Sequence, residues 1–379
     1  MKVAHLTTVH QFPDTRIFYK MCVTLAAQGY DVTLVTRAER QETIQGVQIL
    51  PLPKRQCGSR WGRFIYSWWD GYRAIRKLSP DLVHFHDAEL LPLSLIFRML
   101  GMQVIYDAHE DLPKQILSKP YLPLRARRVV AWLCSLLERV SAVWLTGIVV
   151  ANPGQMRPCF PGSKTELIQN FPILDEFKFE NETPYSARPV WFAYAGGLTA
   201  IRGAREMLQA IERVEQPEAQ LSLAGRFESK ALEREVASMP GWRRVVYLGW
   251  QSRSQISALL GQARAGLVVL HPVPNFLSNQ TVKMFEYMAA GIPVIASDFP
   301  LWREIIESHQ CGLLVDPLDV GAIAAAMQWI LDHPQEAAAM GQRGRQAVVE
   351  KYNWEKESVK LRALYERLFG HKSPNKSTP

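Results

Sequence analysis

Cysteine is scarce in this sequence, and its few copies are scattered. The 379-residue chain has 5 cysteines, an odd number, and no two of them stand in a CxxC spacing. This pattern argues against a disulfide-stapled scaffold and against a structural zinc site. It fits the reducing cytoplasm, which is where we expect the protein to work.

Long apolar runs and targeting signals are missing as well. A membrane-spanning helix needs an apolar run of roughly 18 residues, and the best candidate, residues 129–151, contains Glu138 and Arg139. Met1 is followed at once by a strand-like run, KVAHLTTV, rather than by a charged-then-apolar leader. The sequence therefore predicts neither a transmembrane helix nor a signal peptide.

Acidic residues are fewer than basic ones, and this difference indicates the kind of partner to expect. The 44 lysines and arginines exceed the 36 aspartates and glutamates, so the formal net charge is +8. A basic balance favours anionic partners such as a nucleotide or an anionic membrane surface. Zinc-finger, RNP and basic-zipper motifs are absent from the sequence, so we expect no nucleic acid partner.

Short apolar runs recur along nearly the whole chain, with helical patterns between them. The first series is VAHLTTV, DVTLVT, VQILPL, LVHFHD, QVIYDAH, GIVVAN and TELIQN, and the second is WFAYAGG, QLSLAG, VVYLGW, GLVVLHP, PVIASD and GLLVD. Such alternation predicts parallel βαβ units, and two series predict two doubly wound sheets. A stretch rich in Pro, Asn and Glu, residues 170–189, marks the seam. We therefore place an N-terminal domain at residues 1–170 and a C-terminal domain at residues 171–379.

The stretch SNQTVKMFEYMAAGIPVIASDFP, residues 278–300, carries the most specific pattern. It predicts a helix from Thr281 to Ala290, which Gly291 terminates, and then a buried strand. Lys283 and Glu286 are three positions apart and therefore share one helix face. Two interpretations stay open: a solvated ion pair, or two charged groups presented to a ligand.

The phrase KMFEYMAAGIPVIASD resembles the signature of the retaining family 4 glycosyltransferases. The resemblance spans nearly the whole chain and implies the GT-B fold. This is an α/β architecture of two Rossmann-like doubly wound domains facing a cleft, with a C-terminal helix that crosses back to the N-terminal domain. In that family the residue at the position of Glu286 holds the ribose hydroxyls of a nucleotide-sugar donor, which two carboxylate oxygens can do together. Ser278 stands at a donor position where the family often has another acid.

The segment YAGGLTAIRGAREML, residues 194–208, joins a predicted strand to a helix. Gly196 and Gly197 permit a tight turn with exposed amides beside a helix N-terminus, which favours binding of a diphosphate. Family members commonly have Gly-Arg at this turn and a Lys about five residues further on, and Gly197 and Arg202 stand at those positions. Arg202 can still grip phosphate bidentately. Arg226, after the next strand, would supply part of the missing charge, and a surface role is its alternative.

Polar residues follow two neighbouring predicted strands of the first domain. His86 and Asp87 end the fourth strand, and His109 and Glu110 follow the next one. Ligands of doubly wound sheets bind beyond the C-terminal ends of the strands, so we expect the acceptor side of the site there. In family 4 enzymes a histidine at the position of His109 lies close to the transferred sugar and the acceptor. The alternative for His109 is a cap of the next helix.

Two further features of the first domain leave alternatives open. Asp14, in the loop HQFPDTRIFYK, is either the N-cap of a helix predicted from about Arg16 to Gln28 or an acceptor-side residue. His84 and His86 share one strand face and could ligate a metal. No third ligand is evident from the sequence, so we favour hydrogen bonding or lining of the cleft.

Two segments of the first domain combine basic residues with aromatic or apolar ones. Residues 54–78 interleave Lys and Arg with Trp, Tyr and Phe, and residues 125–145 open with three arginines and continue as an apolar helix. This combination suits the headgroup layer of an anionic membrane, and domain helices with snorkelling cations are the alternative. Related enzymes often reach lipid-linked acceptors through such surfaces, so we expect peripheral contact at the inner face of the cell membrane.

These features lead to one hypothesis and two alternatives. The hypothesis is a retaining glycosyltransferase that moves a sugar from a nucleotide-diphosphate sugar to a sugar or lipid-linked acceptor in bacterial surface polysaccharide or glycolipid assembly. Arg202 and Lys283 would neutralise the leaving diphosphate, so we expect no metal and no other cofactor, in line with the lack of a DxD-type donor pair. The alternatives are a non-catalytic sugar-nucleotide-binding subunit of a polysaccharide-assembly complex and a GT-B sugar-nucleotide epimerase.

Overall fold

The chain forms two compact units. The structure, a computed structural model, describes residues 1–53, 60–109, 111–117, 123–157, 159–179 and 183–370. The first unit contains Met1–Asn170 together with the described residues from Lys356 onward, and the second contains Phe171–Glu355. Each unit is built on one sheet of its own.

The first unit is organised around an eight-stranded sheet in the order β3-β4-β2-β1-β5-β6-β7-β8. Its strands are β1 (Lys2–Gln11), β2 (Asp31–Arg37), β3 (Glu42–Ile44), β4 (Val47–Pro51), β5 (Leu82–Phe85), β6 (Gln103–Ala108), β7 (Gly147–Val150) and β8 (Thr165–Leu167). All neighbouring pairs are parallel except β3 and β4. The predicted strands are thus present, and β3 is an addition to them.

The β3–β4 hairpin is the one antiparallel element in the described sheets, and the predicted series of parallel units did not include it. Gln45 and Gly46 connect the two strands, and both have positive φ, +49° and +78°. Two consecutive left-handed residues give a turn whose twist matches that of a tight hairpin. The only sign of this hairpin in the sequence is therefore the pair Gln-Gly. It lies between a strand of 3 residues and a strand of 5 residues.

The helices of the first unit fill the connections between its strands. They are a π-helical segment (Thr15–Cys22) continued by α1 (Val23–Ala27), then α2 (Arg60–Leu78), α3 (Leu91–Met99), α4 (Leu112–Leu117) and α5 (Leu124–Trp144). The first of these runs close to the predicted helix, and Gly29 follows it with φ +83°. None of the described helices has the length and apolar character needed to cross a bilayer.

The second unit has a six-stranded, wholly parallel sheet in the order β11-β10-β9-β12-β13-β14. Its strands are β9 (Trp191–Ala195), β10 (Gln220–Ala224), β11 (Val245–Gly249), β12 (Ala265–Val268), β13 (Val294–Ser297) and β14 (Gly312–Val315). Chain order reverses between β9 and β12, and in the first unit between β1 and β5. Such switch points are where doubly wound sheets bind ligands.

Helices cover both faces of the second sheet. They are α6 (Ala204–Arg213), α7 (Lys230–Ala237), α8 (Arg253–Gln262), α9 (Pro274–Leu277), α10 (Val282–Ala289), α11 (Pro300–His309), α12 (Val320–Asp332) and α13 (Pro334–Glu350). Two separate apolar clusters lie on the two faces, one around α6 and α12 and the other around α10 and α11. The predicted α/β fold with two Rossmann-like units is confirmed.

The last described helix, α14 (Trp354–Phe369), extends from the second unit into the first. Within the first unit, the Tyr365 hydroxyl lies 2.9 Å from His84 Nδ1, and Leu364 packs beside Gly147 at the start of β7. Glu357 accepts a hydrogen bond from the backbone of Gln169 at 2.8 Å. The C-terminal part of this helix therefore belongs to the core of the first unit.

Candidate functional site

The helix and strand predicted around residues 278–300 are present in the second unit. Helix α10 has Thr281 as its N-cap, and Gly291 follows its end with φ +69° before β13 begins. Phe285 and Ala289, four positions apart and so on one face of α10, are both buried. Helix α10 thereby fixes the positions of Lys283 and Glu286, the two charged residues on which the site hypothesis depends.

A glycine turn with two cations beside it follows β9. A Cβ atom on Gly196 would overlap the Lys283 side chain, with Nζ only 2.8 Å away, and a Cβ on Gly197 would lie 3.1 Å from Arg202 Nη1. The two predicted phosphate-binding cations therefore lie against the backbone of the predicted diphosphate turn. Two cations beside one turn are a feature by which proteins hold a diphosphate. The sequence also predicted exposed amides at this turn, but the amide of Gly196 donates to the carbonyl of Ala224 at 2.7 Å.

Buried neighbours hold the glycine turn in shape. The Tyr194 hydroxyl donates to the carbonyl of Gly197 at 2.8 Å, and burial raises the pKa of Tyr194 to about 12. Gly225, with φ +155°, lies so close to Gly196 that a Cβ would overlap the Gly196 carbonyl oxygen. Glycine is thus required at position 225 by both the backbone conformation and the contact.

The surroundings of Lys283 favour the binding of an anion. Burial, and next the positive charge of Arg202, lower the pKa of Lys283 to about 8, while Glu286 acts in the opposite direction. Its Nζ also lies 5.7 Å from the centre of the Tyr194 ring. A bound diphosphate would reverse the shift, because an opposite charge favours the ammonium form.

Glu286 is not part of a solvated ion pair with Lys283, which was one of the two open interpretations. Its side chain is buried, and its Oε1 accepts a hydrogen bond of 2.6 Å from Arg253 Nη1 at the start of α8. Arg253 in turn donates to both carboxylate oxygens of Glu176. Burial alone would lower the pKa of Arg253, but Glu286 and then Glu176 raise it above its ordinary value.

The other two residues predicted to bind the sugar donor, Arg226 and Ser278, lie outside the group formed by Lys283, Arg202 and Glu286. Arg226 directly follows Gly225, its side chain is exposed, and its carbonyl accepts from the backbone of Leu198 at 2.9 Å. Ser278 ends helix α9, and its hydroxyl donates to the Pro274 carbonyl at 3.1 Å. Arg226 is therefore free to reach a phosphate, whereas the Ser278 hydroxyl is engaged in closing a helix.

In the first unit, the predicted residues His86 and His109 meet at Asp107, the buried penultimate residue of β6. Arg16 donates to both oxygens of Asp107, at 3.0 and 2.8 Å. His109 Nε2 lies 2.9 Å, and His86 Nδ1 3.1 Å, from Asp107 Oδ2. Burial alone would raise the pKa of Asp107, but Arg16 and His109 hold it well below its ordinary range.

His86 continues this cluster into the interior through three more side chains. His86 Nε2 is 2.9 Å from His5 Nδ1, and the Tyr365 hydroxyl is 3.4 Å from His5 Nε2 and 2.9 Å from His84 Nδ1. Burial lowers the pKa of His5, His84 and His86, which favours the neutral form of each buried ring.

If the three rings are neutral and His86 Nδ1 donates to Asp107 rather than to His109 Nε2, which lies 3.2 Å away, the remaining protons of the chain follow in order. His86 donates through Nδ1 and accepts through Nε2 from His5, which then accepts from Tyr365, which accepts from His84. His84 Nε2 is left as a bare acceptor, and it is a buried atom without a hydrogen-bond partner in the described chain. His109 Nε2 lies within hydrogen-bond distance of Asp107 Oδ2 as well, at 2.9 Å, and the His109 ring is partly exposed.

The His-x-His pair does acquire a third candidate metal ligand in the structure, contrary to what the sequence alone indicates. Ligand atoms of His84, His86 and Asp107 lie within 4.8 Å of one another. Both oxygens of Asp107 are already bonded to Arg16, and a dication there would add positive charge next to a buried guanidinium. We therefore interpret the group as the hydrogen-bonded chain described above.

Asp14 and Asp87 have structural partners around the loop after β1. Asp14 is the N-cap of the first helix and accepts from the backbone of Arg16 and Ile17 at 2.9 and 2.8 Å. Asp87 accepts from the backbone of Thr8 at 2.5 Å and from neighbouring groups. The N-cap interpretation of Asp14 thus fits the structure. Glu110 lies outside the described residues.

Sequence reasoning missed the partners that orient the predicted residues. Arg253 contacts Glu286 and is itself bonded to Glu176. Asp107 contacts His109 and is itself bonded to Arg16. Asp107 stands near the end of β6, only two positions before His109, and that spacing was the available signal. Arg253 lies 33 positions from Glu286 and carried none.

Comparison with known families covers both units. The profile described as Glycosyltransferase Family 4 matches residues 15–146, and the profile described as Glycosyl transferases group 1 matches residues 176–347. The chain belongs to the family 4 type of GT-B glycosyltransferases. The predicted family is thereby confirmed, and glycosyltransferase activity is supported for this chain.

Two curated enzymes illustrate the range of relatives. MMP alpha-(1->4)-mannosyltransferase from Mycolicibacterium hassiacum is 25% identical over 178 residues, which are 46% of this chain and 42% of that enzyme. Glycogen synthase from Mycobacterium tuberculosis is 23% identical over an alignment that covers 92% of this chain and 90% of the synthase. The chain thus spans less than half of the first enzyme and most of the second.

A solved structure supports the fold. The Anabaena protein Alr3699/HepE, crystallised in complex with UDP-glucose, matches with a TM-score of 0.71 at 15% identity, over 97% of this chain and 100% of that chain. At this identity the likeness establishes the GT-B fold alone. What HepE binds is a property of HepE.

Proposed function

We propose that this glycosyltransferase is a retaining, metal-independent enzyme that uses a nucleotide-diphosphate sugar as donor. The observation that carries the proposal is the meeting of Lys283 and Arg202 at the Gly196–Gly197 turn, one helical turn from the buried carboxylate of Glu286. A diphosphate on the turn and a ribose on the carboxylate would fit this spacing. The match to a GT-B protein solved with UDP-glucose supports the same ligand class.

The two cations have a chemical role in this proposal. Cleavage of the donor leaves negative charge on the diphosphate, and preorganised positive groups stabilise such charge as it develops. Lys283 and Arg202 would serve here in place of a divalent metal, and exposed Arg226 would add to them. Retention needs no protein nucleophile if the leaving phosphate takes the proton of the acceptor hydroxyl on the same face of the sugar.

His109 is the proposed positioning group for the acceptor or the transferred sugar. With a proton on Nε2 donated to Asp107, His109 would present the lone pair of Nδ1 to a hydroxyl. The negative charge of Asp107 would stabilise an imidazolium if His109 received a proton. The contact with Asp107 would thus fix the orientation of the His109 ring.

An apolar helix face in the first unit supports a lipid-linked acceptor. The face of α5 exposes large apolar side chains along its whole length: Leu124, Val129, Trp132, Leu133, Leu136, Val140, Val143 and Trp144. Exposed arginines at positions 125, 128 and 139 accompany them. We propose that this face contacts an anionic membrane at the inner side of the cell envelope, where surface polysaccharide or glycolipid is assembled.

Transfer itself is the direct test of the proposal. Purified protein is incubated with UDP-, GDP- and ADP-sugars and a bacterial lipid extract, with EDTA present, and the labelled product is analysed by NMR for its anomeric configuration. We expect transfer with retention from one donor class. Inversion, or a requirement for a divalent metal, would contradict the mechanism.

His109→Ala tests the acceptor side of the site. We expect transfer to fall by roughly a hundredfold or more, in the range of a lost positioned acid–base or hydrogen-bonding group, with binding of nucleoside diphosphate unchanged. His309→Ala, a histidine substitution at the end of α11, is the control and should retain transfer. Full activity of His109→Ala would remove His109 from the site.

The alternatives predict other results in the same assay. A non-catalytic subunit would bind the nucleoside diphosphate without turnover of any donor. An epimerase would change the sugar of the donor and transfer nothing. Either outcome would replace the transferase interpretation while leaving the donor-binding turn in place.

A further inference from the structure

Glu286 is the carboxylate on which ribose binding depends in the proposed function, and its surroundings are built around Arg253. Only 6% of Glu286 is exposed, and its Oε1 accepts from Arg253 Nη1 at 2.6 Å. In the part of the chain that the structure describes, Oε2 takes no hydrogen bond. One oxygen of the carboxylate is therefore committed, and the other is available.

Arg253 is itself held in one orientation. Its Nε donates to Glu176 Oε1 at 3.3 Å, and its Nη2 donates to Oε2 of the same carboxylate. A bidentate pair of this kind fixes the plane of the guanidinium, because two parallel hydrogen bonds allow only one relative orientation. The remaining nitrogen, Nη1, then points to Glu286, so the orientation of the Glu286 carboxylate is set by Glu176 through Arg253.

To accept a hydrogen bond from a ribose hydroxyl, Glu286 must stay ionised and keep one carboxylate oxygen available. A buried carboxylate without a positive partner is costly and tends to take up a proton, which would convert an acceptor into a donor. Arg253 compensates the negative charge of Glu286 and engages only one of its oxygens. Lys283, one helical turn away, is beside Gly196 rather than hydrogen-bonded to Glu286 in the described structure, so it does not replace Arg253.

We propose that Arg253 is a positioning residue for the nucleotide, which directs Glu286 Oε2 to the 2′-hydroxyl of the ribose and so makes the enzyme selective for ribonucleotides over 2′-deoxyribonucleotides. Glu176 is the residue that locks Arg253 in place. This inference rests on the proposed function, because it assumes that Glu286 meets the ribose.

The test compares each nucleoside diphosphate that binds the wild type with its 2′-deoxy counterpart, by calorimetric titration. We expect the wild type to favour the ribonucleotide by about ten- to a hundredfold, the range of one hydrogen bond to a charged group. Arg253→Met should reduce this ratio to about twofold or less, since the Glu286 carboxylate then loses its orientation. A role of Arg253 in folding alone would lower the melting temperature but would leave the ratio unchanged.

Two further variants keep the test decisive. Arg253→Lys retains the charge and lacks the planar fork, so it should fold and give a ratio between those of the wild type and Arg253→Met. Glu176→Gln removes the lock while preserving the Arg253–Glu286 pair, and it should also lower the ratio. Arg303→Met breaks a bidentate Arg303–Asp298 pair on the surface of the same unit and should leave the ratio at the wild-type value.

The outcomes separate this inference from the proposed function. A wild-type ratio that persists in both Arg253 variants would overturn the role of Arg253 while leaving donor binding intact. Absence of any nucleoside diphosphate binding by the wild type would overturn the proposed function and this inference with it. A ratio that collapses in the Arg253 variants and persists in Arg303→Met would support the inference.

Discussion

At the scale of single residues, Lys283 links the chemistry of the site to pH. Burial and the charge of Arg202 lower its pKa to about 8 in the free protein. A diphosphate binds the ammonium form of Lys283. The affinity is therefore highest below this pKa, and it falls as the pH rises through it. The weakening continues, by up to about tenfold per pH unit, until the pKa of the complex is reached.

This reasoning predicts a difference between Lys283 and an arginine in its place. Raising the pH from about 7 to about 9 should weaken nucleoside diphosphate binding roughly tenfold in the wild type and little in Lys283→Arg, because a guanidinium stays charged. Calorimetric titration at several pH values measures both. Equal pH dependence in the two proteins would show that another group controls the affinity.

Residues at the site were partly predictable from the sequence, and the limit has a physical reason. His109, Lys283 and Glu286 stand in short motifs whose spacing is visible along the chain. Their orienting partners come from other elements: Arg253 is 33 positions from Glu286, and Arg16 is 91 positions from Asp107. Only the fold brings such pairs together, so a single sequence carries no local sign of them.

At the scale of elements, the close approach of two strand ends shapes the donor turn. Gly225, after β10, and Gly196, after β9, leave no space for a Cβ between them. An added methyl group would therefore displace the carbonyl of Gly196 and with it the backbone against which Lys283 lies. The contact connects the packing of two neighbouring strands to the phosphate site.

Two alanine substitutions test this connection. Gly249→Ala, at φ +64° with open space around it, should cost about 1 kcal/mol for the left-handed backbone alone and leave nucleotide binding unchanged. Gly225→Ala should cost at least that much and also weaken nucleoside diphosphate binding. Chemical denaturation and titration measure the two effects, and equal binding by both variants would refute the predicted role of the close contact.

Helix α5 yields the second prediction at this scale. Trp132 and Val143 lie on its exposed apolar face, with 64% and 66% of their surfaces accessible. Replacing both by serine should lower sedimentation with vesicles rich in phosphatidylserine at least several-fold, because less apolar surface would enter the headgroup layer. Thermal stability should change little.

Trp250 provides the matched control for the vesicle experiment. It is a tryptophan of similar exposure, 63%, in the second unit. Trp250→Ser should sediment with vesicles like the wild type. Unchanged sedimentation of the Trp132→Ser, Val143→Ser double variant would show that the α5 face does not contact the membrane.

The strands were predictable from the sequence with one exception. Each strand run read from the sequence corresponds to a strand, because β-branched runs between helical patterns specify buried parallel strands. The exception is β3, which has only three residues and depends on the Gln45–Gly46 turn. A strand so short lacks a periodic pattern of its own.

At the scale of the whole molecule, the residues proposed for the donor and those proposed for the acceptor belong to different units of the chain. The second unit contains the glycine turn, both cations and Glu286, and the first contains His109 with its buried chain. Nucleotide binding is therefore expected to be a property of the second unit, and variants in the two units should affect binding and transfer separately.

The proposed function depends above all on the binding of a nucleoside diphosphate by Glu286 and the glycine turn, without metal. Thermal unfolding and calorimetric titration of the wild type and Glu286→Ala, with UDP, GDP and ADP in the presence of EDTA, test it most directly. One nucleotide at a hundred times its Kd should stabilise the wild type by about 2.7 kcal/mol. Its Kd should rise about ten- to a hundredfold in Glu286→Ala, and not in Glu307→Ala, an exposed glutamate of α11. Absence of binding by the wild type, or equal binding by Glu286→Ala, would contradict the account.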